Sequence, residues 1–304
     1  GGTNLRLAPA EGVYTDRTEL TAVLTSTSGE PIGGQSIAFR TVDGSELGVA
    51  VTDASGTARL TYQVALGADP GQTSSEIPIQ AVFAGNGGWQ PAAATGVLTV
   101  AKEAAALEIA AQSVVPQGGS ASATVRVVQE ADGELGSLQG LPVRLELFRL
   151  ETDGSRTSVT QAVYGTDASG ELTAVWSEAA GLYELEAELL PNPYYQAAPI
   201  SKGIAFAGYA ARVQANGHFD AEGAFARPDD ANGGETLKLH LNADVSVGAD
   251  GAAQGRLRLK SGSAGIDLEL HAFDWAAVTG SGAFMQGTAY DGGEAYTVRV
   301  MLFD

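Results

Sequence analysis

The sequence predicts an all-β protein: two antiparallel β-sandwiches followed by an antiparallel β-meander or small β-barrel. Three observations carry this. A five-residue stretch occurs twice, Thr52-Asp53-Ala54-Ser55-Gly56 and Thr166-Asp167-Ala168-Ser169-Gly170, each time between an apolar run and an alternating segment; that order reads as strand, tight turn, strand. Apolar residues recur with period two along much of the chain, the pattern of strands with one face buried. Glycine is abundant, 40 of 304 residues, and small polar residues fill the gaps between apolar runs, as short strands joined by turns require.

In the first unit, read as residues 1–102, the alternating sets are Leu20, Ala22, Leu24; Ile37, Phe39; Leu60, Tyr62, Val64; Ile77, Ile79, Ala81, Phe83; and Leu98, Val100. Gly29-Glu30-Pro31-Ile32-Gly33-Gly34 and Gly85-Asn86-Gly87-Gly88 break the runs. A half-buried alternation in every strand needs a second sheet to cover it, so two sheets pack face to face. In the repeated turn the Asp carboxylate can accept hydrogen bonds from backbone N–H groups just ahead, and Gly takes a positive φ at little cost.

The second unit, 103–207, repeats the first with the turn 114 residues on, from 52 to 166. Residues 35–39 are answered by 141–145, and Trp89-Gln90-Pro91-Ala92-Ala93 by Tyr194-Tyr195-Gln196-Ala197-Ala198. Tyr183, Leu185, Ala187 and Leu189 face one way and Glu184, Glu186 and Glu188 the other, a core face and a solvent face. The join over 101–106 is short and holds no Gly or Pro, which predicts a fairly fixed angle between the two units. The third unit, 208–304, is not a further copy. Longer strands are expected at 211–219, 237–247, 254–260, 265–275, 282–290 and 296–302, with hairpin turns at Ala249-Asp250-Gly251, Gly280-Ser281-Gly282 and Asp291-Gly292-Gly293.

Residues 18–62 carry Gly29, Pro31, Gly34 and Gln35 in one turn and then Thr52, Asp53, Gly56 and Ala58. In this the chain resembles the bacterial immunoglobulin-like domains found in tandem on surface proteins of the invasin and intimin type. The second copy keeps Gly140, Pro142, Thr166, Asp167 and Gly170, with Gly-Leu-Pro in place of Gly-Gly-Gln and Glu171-Leu172 where Ala is expected. The resemblance implies an immunoglobulin-like sandwich for each unit and says little about a ligand, because the same sandwich serves as spacer, adhesin stalk and enzyme appendage. Through "VQANGHFD" and "TGSGAFMQGTAYDGG" the third unit resembles β-rich modules at the C-termini of large bacterial surface proteins, from which no activity follows.

The net charge of −19, from 36 acidic and 17 basic residues, argues against a nucleic-acid partner, since that binding is driven by Lys and Arg neutralising phosphates. An anionic membrane would repel the chain as well. Without cysteine there is no disulfide, thiolate metal site or thiol nucleophile. No apolar run approaches the roughly 18 residues of a membrane-spanning helix, so no membrane insertion is expected of this segment. The start at Gly1-Gly2-Thr3, without methionine, reads as a processed or excised segment.

The candidate sites lie in the third unit. His218, His240 and His271 each sit on an expected strand and share its outward face with Arg256, Arg258 and Lys260. This face reads as a ligand or carbohydrate surface, as a three-His zinc site if the rings converge, or as a solvated sheet face. Asp229, Asp230, Asn232 and Glu235 put four oxygen donors in a Gly-containing loop, the hard ligands calcium takes, although the spacing is not that of an EF-hand and a plain polar turn has the same composition. Trp89, Tyr194 and Tyr195 would serve a sugar platform if exposed, or plug the ends of the sandwiches. Lys102 and Lys202 are conceivable partners in side-chain crosslinks, with no surrounding pattern to mark them. A Gly-x-Ser-x-Gly elbow, an HExxH pair and a phosphate loop are all missing, so no catalysis is expected.

The resulting expectation is a non-catalytic piece of an exported bacterial surface protein, located extracellularly or on the cell surface. It would be a stiff spacer with a terminal module contacting a glycan, a cell-wall polymer or a surface protein. The alternatives are the accessory tail of a secreted polymer-degrading hydrolase, and a self-associating surface-layer or filament subunit bridged by divalent ions.

Overall fold

The computed structural model describes residues 1–304 apart from 131–134, 152–154, 207–210, 223–235, 263–264, 280–281, 292 and 304, and the side chains of 217–222, 236–238, 266, 291 and 303. The described residues form strands, turns and loops only.

The first unit has eight strands: β1 (Thr3–Leu7), β2 (Ala10–Val13), β3 (Arg17–Ser26), β4 (Ser36–Thr41), β5 (Glu46–Val51), β6 (Thr57–Gln63), β7 (Ser74–Phe83) and β8 (Ala92–Ala101). They make a three-stranded sheet, β1-β3-β6, and a five-stranded sheet, β2-β8-β7-β4-β5. The second unit repeats this with β9 (Glu103–Ala111), β10 (Val114–Val115), β11 (Ala121–Gln129), β12 (Pro142–Leu150), β13 (Arg156–Gly165), β14 (Glu171–Trp176), β15 (Gly181–Leu189), β16 (Tyr195–Gln196) and β17 (Ile200–Phe206). Its sheets run β14-β11-β9-β16 and β10-β17-β15-β12-β13.

Both units share one topology, that of an immunoglobulin-like sandwich. The first strand is split, its leading half on one sheet and its trailing half crossing to pair in parallel with the last long strand, β2 with β8 and β10 with β17. Leu20, Ala22, Leu24, Ile37, Phe39, Ile79, Ala81, Leu98 and Val100 fill the first core, and the second is filled by the equivalent positions. In the second unit the Tyr183 hydroxyl donates to the Ala179 carbonyl at 2.9 Å, a tyrosine corner at the start of β15.

The repeated turn is a clasp between two loops of one unit. The Thr52 hydroxyl donates to the Ile32 carbonyl (2.8 Å) and accepts from the Gln35 N–H (2.9 Å), while the Gly34 N–H donates to the Thr52 carbonyl (2.7 Å). Thr166 does the same with Leu138, Leu141 and Gly140. Asp53 Oδ1 accepts from the Ser55 N–H, the Ser55 hydroxyl and the Thr57 N–H at 2.8, 2.6 and 3.0 Å; Asp167 accepts from Ser169 twice and from Glu171 at 2.8, 2.7 and 3.0 Å. These bonds, from the serine hydroxyl first, hold Asp53 down at about 2 and Asp167 also below the usual carboxylate range. Gly56 and Gly170 follow at φ of 75° and 79°, and a Cβ on Gly56 would run into the Leu24 carbonyl. The Gly-x-Pro turn and the Thr-Asp turn, well separated in the chain, are therefore physical partners.

The third unit is a six-stranded antiparallel meander, β18 (Ala211–Glu222), β19 (Thr236–Val247), β20 (Ala253–Ser261), β21 (Ile266–Val278), β22 (Gly282–Asp291) and β23 (Glu294–Phe303), in sequence order. Among the described residues no ladder joins β18 to β23, so the sheet is an open meander rather than a closed barrel. Leu239, Leu241, Val245, Leu257, Leu270 and Met285 lie on its buried face. Strand β21 carries two irregularities, between Leu270 and Ala272 and between Phe273 and Trp275. The first turns Phe273 towards the core and the second restores the parity of Leu270, so that Ala276 and Val278 face the core while Trp275 and Ala277 face the other way.

Candidate functional site

Two joints and one groove hold the residues that could act outside the cores. The first joint lies between the sandwiches. Tyr14 of the first unit stacks on Tyr194 (ring centroids 4.6 Å apart, 36° between planes) and meets Tyr195 edge-on (5.5 Å, 88°). The Ala68 N–H donates to the Pro193 carbonyl at 2.9 Å, and Gly67 lies so close to Pro193 and Tyr194 that a Cβ there would be 2.6 Å from the Pro193 ring. Gln129 bridges the boundary: its amide NH2 donates to the Thr15 hydroxyl (3.2 Å), and its carbonyl oxygen accepts from the Tyr195 hydroxyl (3.1 Å) and the Gly136 N–H (2.9 Å). Thr15, Gln129 and Tyr195 are all buried. Thr15 holds φ at 76°, a conformation that costs a β-branched residue energy and persists only where its surroundings fix it. Burial, then the neighbouring Tyr14 and Glu103, push the Tyr195 phenol above its ordinary range.

The linking residues are buried as well. Lys102 is 7% exposed and donates to the Pro70 carbonyl at 2.6 Å; Glu103 is 1% exposed and its N–H donates to the Tyr194 carbonyl. Asn192 shapes the loop, accepting from the N–H groups of Tyr194 and Tyr195 (3.0 and 2.8 Å) and donating to the Tyr195 carbonyl. Asn86 makes the matching turn in the first unit, accepting from Gly88 and Trp89. The structural equivalent of Trp89 is thus Tyr195, one residue beyond the pairing with Tyr194 read from the sequence. Trp89 packs against the first core and Tyr195 lies within the second, so both act as plugs. Tyr194 has Gly88 as its counterpart and is the joint's own aromatic.

The second joint packs the third unit on the second. Trp275, Ala277 and Phe284, on the face of the meander opposite its core, bury Leu182 and Ala205, with Val114 and Leu150 alongside. The Arg299 guanidinium lies over the Trp275 ring (6.0 Å), donates to the Gln286 carbonyl oxygen (2.9 Å), and approaches Gly203, where a Cβ would be 3.0 Å away.

The groove lies on the outward face of β19 and β20. Cross-strand partners there are His240 with Lys260, Asn242 with Arg258 and Asp244 with Arg256. Alternation puts Leu257 and Leu259 into the core and Arg256, Arg258 and Lys260 outward. Together with His240 and Asn242, these three cations line a depression of about 250 Å³. Towards β21 they meet carboxylates: Arg258 is bidentate on Asp267 (2.7 and 2.6 Å), Lys260 is 3.8 Å from Asp267, and Arg256 pairs with Glu269. The Arg258 hydrogen bonds hold Asp267 below the usual carboxylate range. His240 Nε2 is 3.0 Å from Asn216 Oδ1, and Arg212 is bidentate on Asp244.

His218 is the register partner of His240, with its side chain outside the described residues. His271 is on β21, 3.6 Å from Glu269 and two strands from His240, a separation of about 10 Å at ordinary strand spacing. The structure thus brings His240, Arg256 and Arg258 together and leaves His271 apart. Asp229, Asp230, Asn232 and Glu235, the calcium candidates, lie outside the described residues. Alternation along β19 places Asn242 on the outward face beside His240, as the structure has it, whereas the whole Tyr14, Gln129, Asn192 constellation was missed in the sequence.

No protein-family model matches the chain, and no curated protein matches it. Among solved structures it is similar to the Yersinia pseudotuberculosis adhesin InvE, at 16% identity over 97% of this chain and 73% of that one, with a TM-score of 0.37. It is also similar to a tetra-tandem repeat from the extending region of a large adhesion protein (12% identity, 100% and 74% covered, TM-score 0.41). A glycosyl hydrolase family 2 member from Bacteroides cellulosilyticus matches at 15% identity over 64% of this chain and 23% of that one, with a TM-score of 0.25. Likeness at this level carries no argument about what the chain does.

Proposed function

We propose that this chain is a non-catalytic segment of an exported bacterial surface protein, in which two immunoglobulin-like units form a stiff spacer and the third unit makes contact with a glycan, wall polymer or surface protein. The observation that carries the reading is the first joint. A flexible tether needs an exposed, polar or Gly-rich linker, whereas here Lys102, Glu103, Gln129, Thr15 and Tyr195 are buried between the units and hydrogen bonds cross the boundary. An apolar second joint supports extending the same stiffness to the third unit. A spacer serves a surface protein by holding a contact module away from the cell. The test is attachment: cells displaying the full chain should bind their target surface, and cells displaying residues 1–207, with folding checked by thermal unfolding, should not. Equal attachment by both would overturn the assignment of contact to the third unit.

A further inference from the structure

We infer that the outward groove on β19 and β20 is a binding site for a linear carboxylate-bearing polysaccharide, such as a polyuronate. The inference rests on the proposed contact role of the third unit and names its ligand class. Three of the chain's 17 basic residues, Arg256, Arg258 and Lys260, stand on one face of a single nine-residue strand. Alternate residues of a strand lie about 6.7 Å apart, so the three cations form a row about 13 Å long, suited to a ligand whose negative charges recur along a line. Among the described residues no carboxylate lines the groove itself; Asp244, opposite Arg256 at the end of the row, is held by Arg212, and Asp267 and Glu269 approach the cations from the far side, over β21. Asn242 and His240 stand opposite Arg258 and Lys260, hydrogen-bonding groups that suit hydroxyls. A row of cations facing an amide and an imidazole matches a sugar polymer that carries both carboxylates and hydroxyls.

The arginines already have carboxylate partners, but Arg256, Arg258 and Lys260 are 55, 38 and 56% exposed. Pairs so exposed gain little in high dielectric and are screened by salt, so turning a guanidinium towards a ligand, or sharing it, costs little. The chain as a whole is strongly acidic, but at physiological salt charges beyond about 8 Å are largely screened, so the row itself sets the local field. Guanidinium also grips carboxylate in a planar, bidentate way, the geometry Arg258 already displays on Asp267.

The test is calorimetric titration of the intact chain with oligogalacturonate, a neutral dextran oligomer and inorganic polyphosphate of matched charge. Oligogalacturonate should bind, more weakly as salt rises, and R256Q/R258Q should weaken it at least tenfold, with R258K recovering part of the loss in an R258Q comparison. R156Q, on the second unit, should bind as the wild type does. No binding of oligogalacturonate, equal binding by R256Q/R258Q, or equal binding of dextran would overturn the site. Tighter binding of polyphosphate through the same arginines would overturn the carboxylate class. Attachment that depends on residues 208–304 without oligogalacturonate binding would sink this inference and leave the contact role standing.

Discussion

Replacing Tyr195 with alanine will destabilise the second sandwich by about 3–5 kcal/mol, the range for truncating a large buried aromatic. Three roles meet at this side chain. It is 1% exposed within the second core, its ring meets Tyr14 across the boundary at 5.5 Å, and its hydroxyl donates to Gln129. Loss of the ring leaves a cavity that opens into the joint, so the two sandwiches should also lose their mutual fixation. Tyr195→Phe isolates the hydroxyl. Gln129 would still accept from the Gly136 N–H, so the bond's loss should cost only about 1 kcal/mol. Denaturant unfolding of the three proteins checks this: a Tyr195→Ala cost near that of Tyr195→Phe would mean that the ring is not a packing element.

The second large effect is expected at the other joint. Trp275 is 4% exposed only because the second sandwich covers it, and with Phe284 it buries Leu182 and Ala205. Trp275→Ala should cost about 3–5 kcal/mol and free the third unit from the second. Tyr290→Ala is the control, since Tyr290 is 62% exposed and its loss should fall within about 0.5 kcal/mol. Hydrogen exchange locates the effect: in Trp275→Ala, protection should fall in β15 and β17 beside the joint and stay unchanged in the first sandwich. A loss spread evenly over the chain would argue against a local joint.

Much of the fold was legible because its signals are local. The clasp turn announces itself twice through Asp, Ser and Gly at fixed spacing, and the row Glu184, Glu186, Glu188 opposite Tyr183, Leu185, Ala187 fixes a core face by period two alone. The outward set on β19 and β20 was legible for the same reason. The β21 irregularities were not: Ala272, Phe273, Asp274 and Trp275 lose alternation without a Gly or Pro to mark the place, and the only hint is Gly287 on the neighbouring strand, where a Cβ would strike the Ala272 carbonyl. The first joint was illegible because its parts are far apart in the chain. Residues 14, 67, 129, 136 and 192 share no motif and become neighbours only after both sandwiches have folded. Alignment of Trp89 with Tyr194 failed by one residue because it followed the aromatic rings, whereas the turn is set by Asn86 and Asn192.

The claim that most needs testing is that the two sandwiches hold one orientation. The sequence has no cysteine, so spin labels can be placed at Ala54→Cys and Ala168→Cys, exposed and equivalent positions in the two clasp turns, without background. Double electron–electron resonance should give a single narrow distance distribution that broadens when Tyr14→Ala is added. A broad or multimodal distribution in the parent chain would contradict the account, and the spacer would then be a flexible tether.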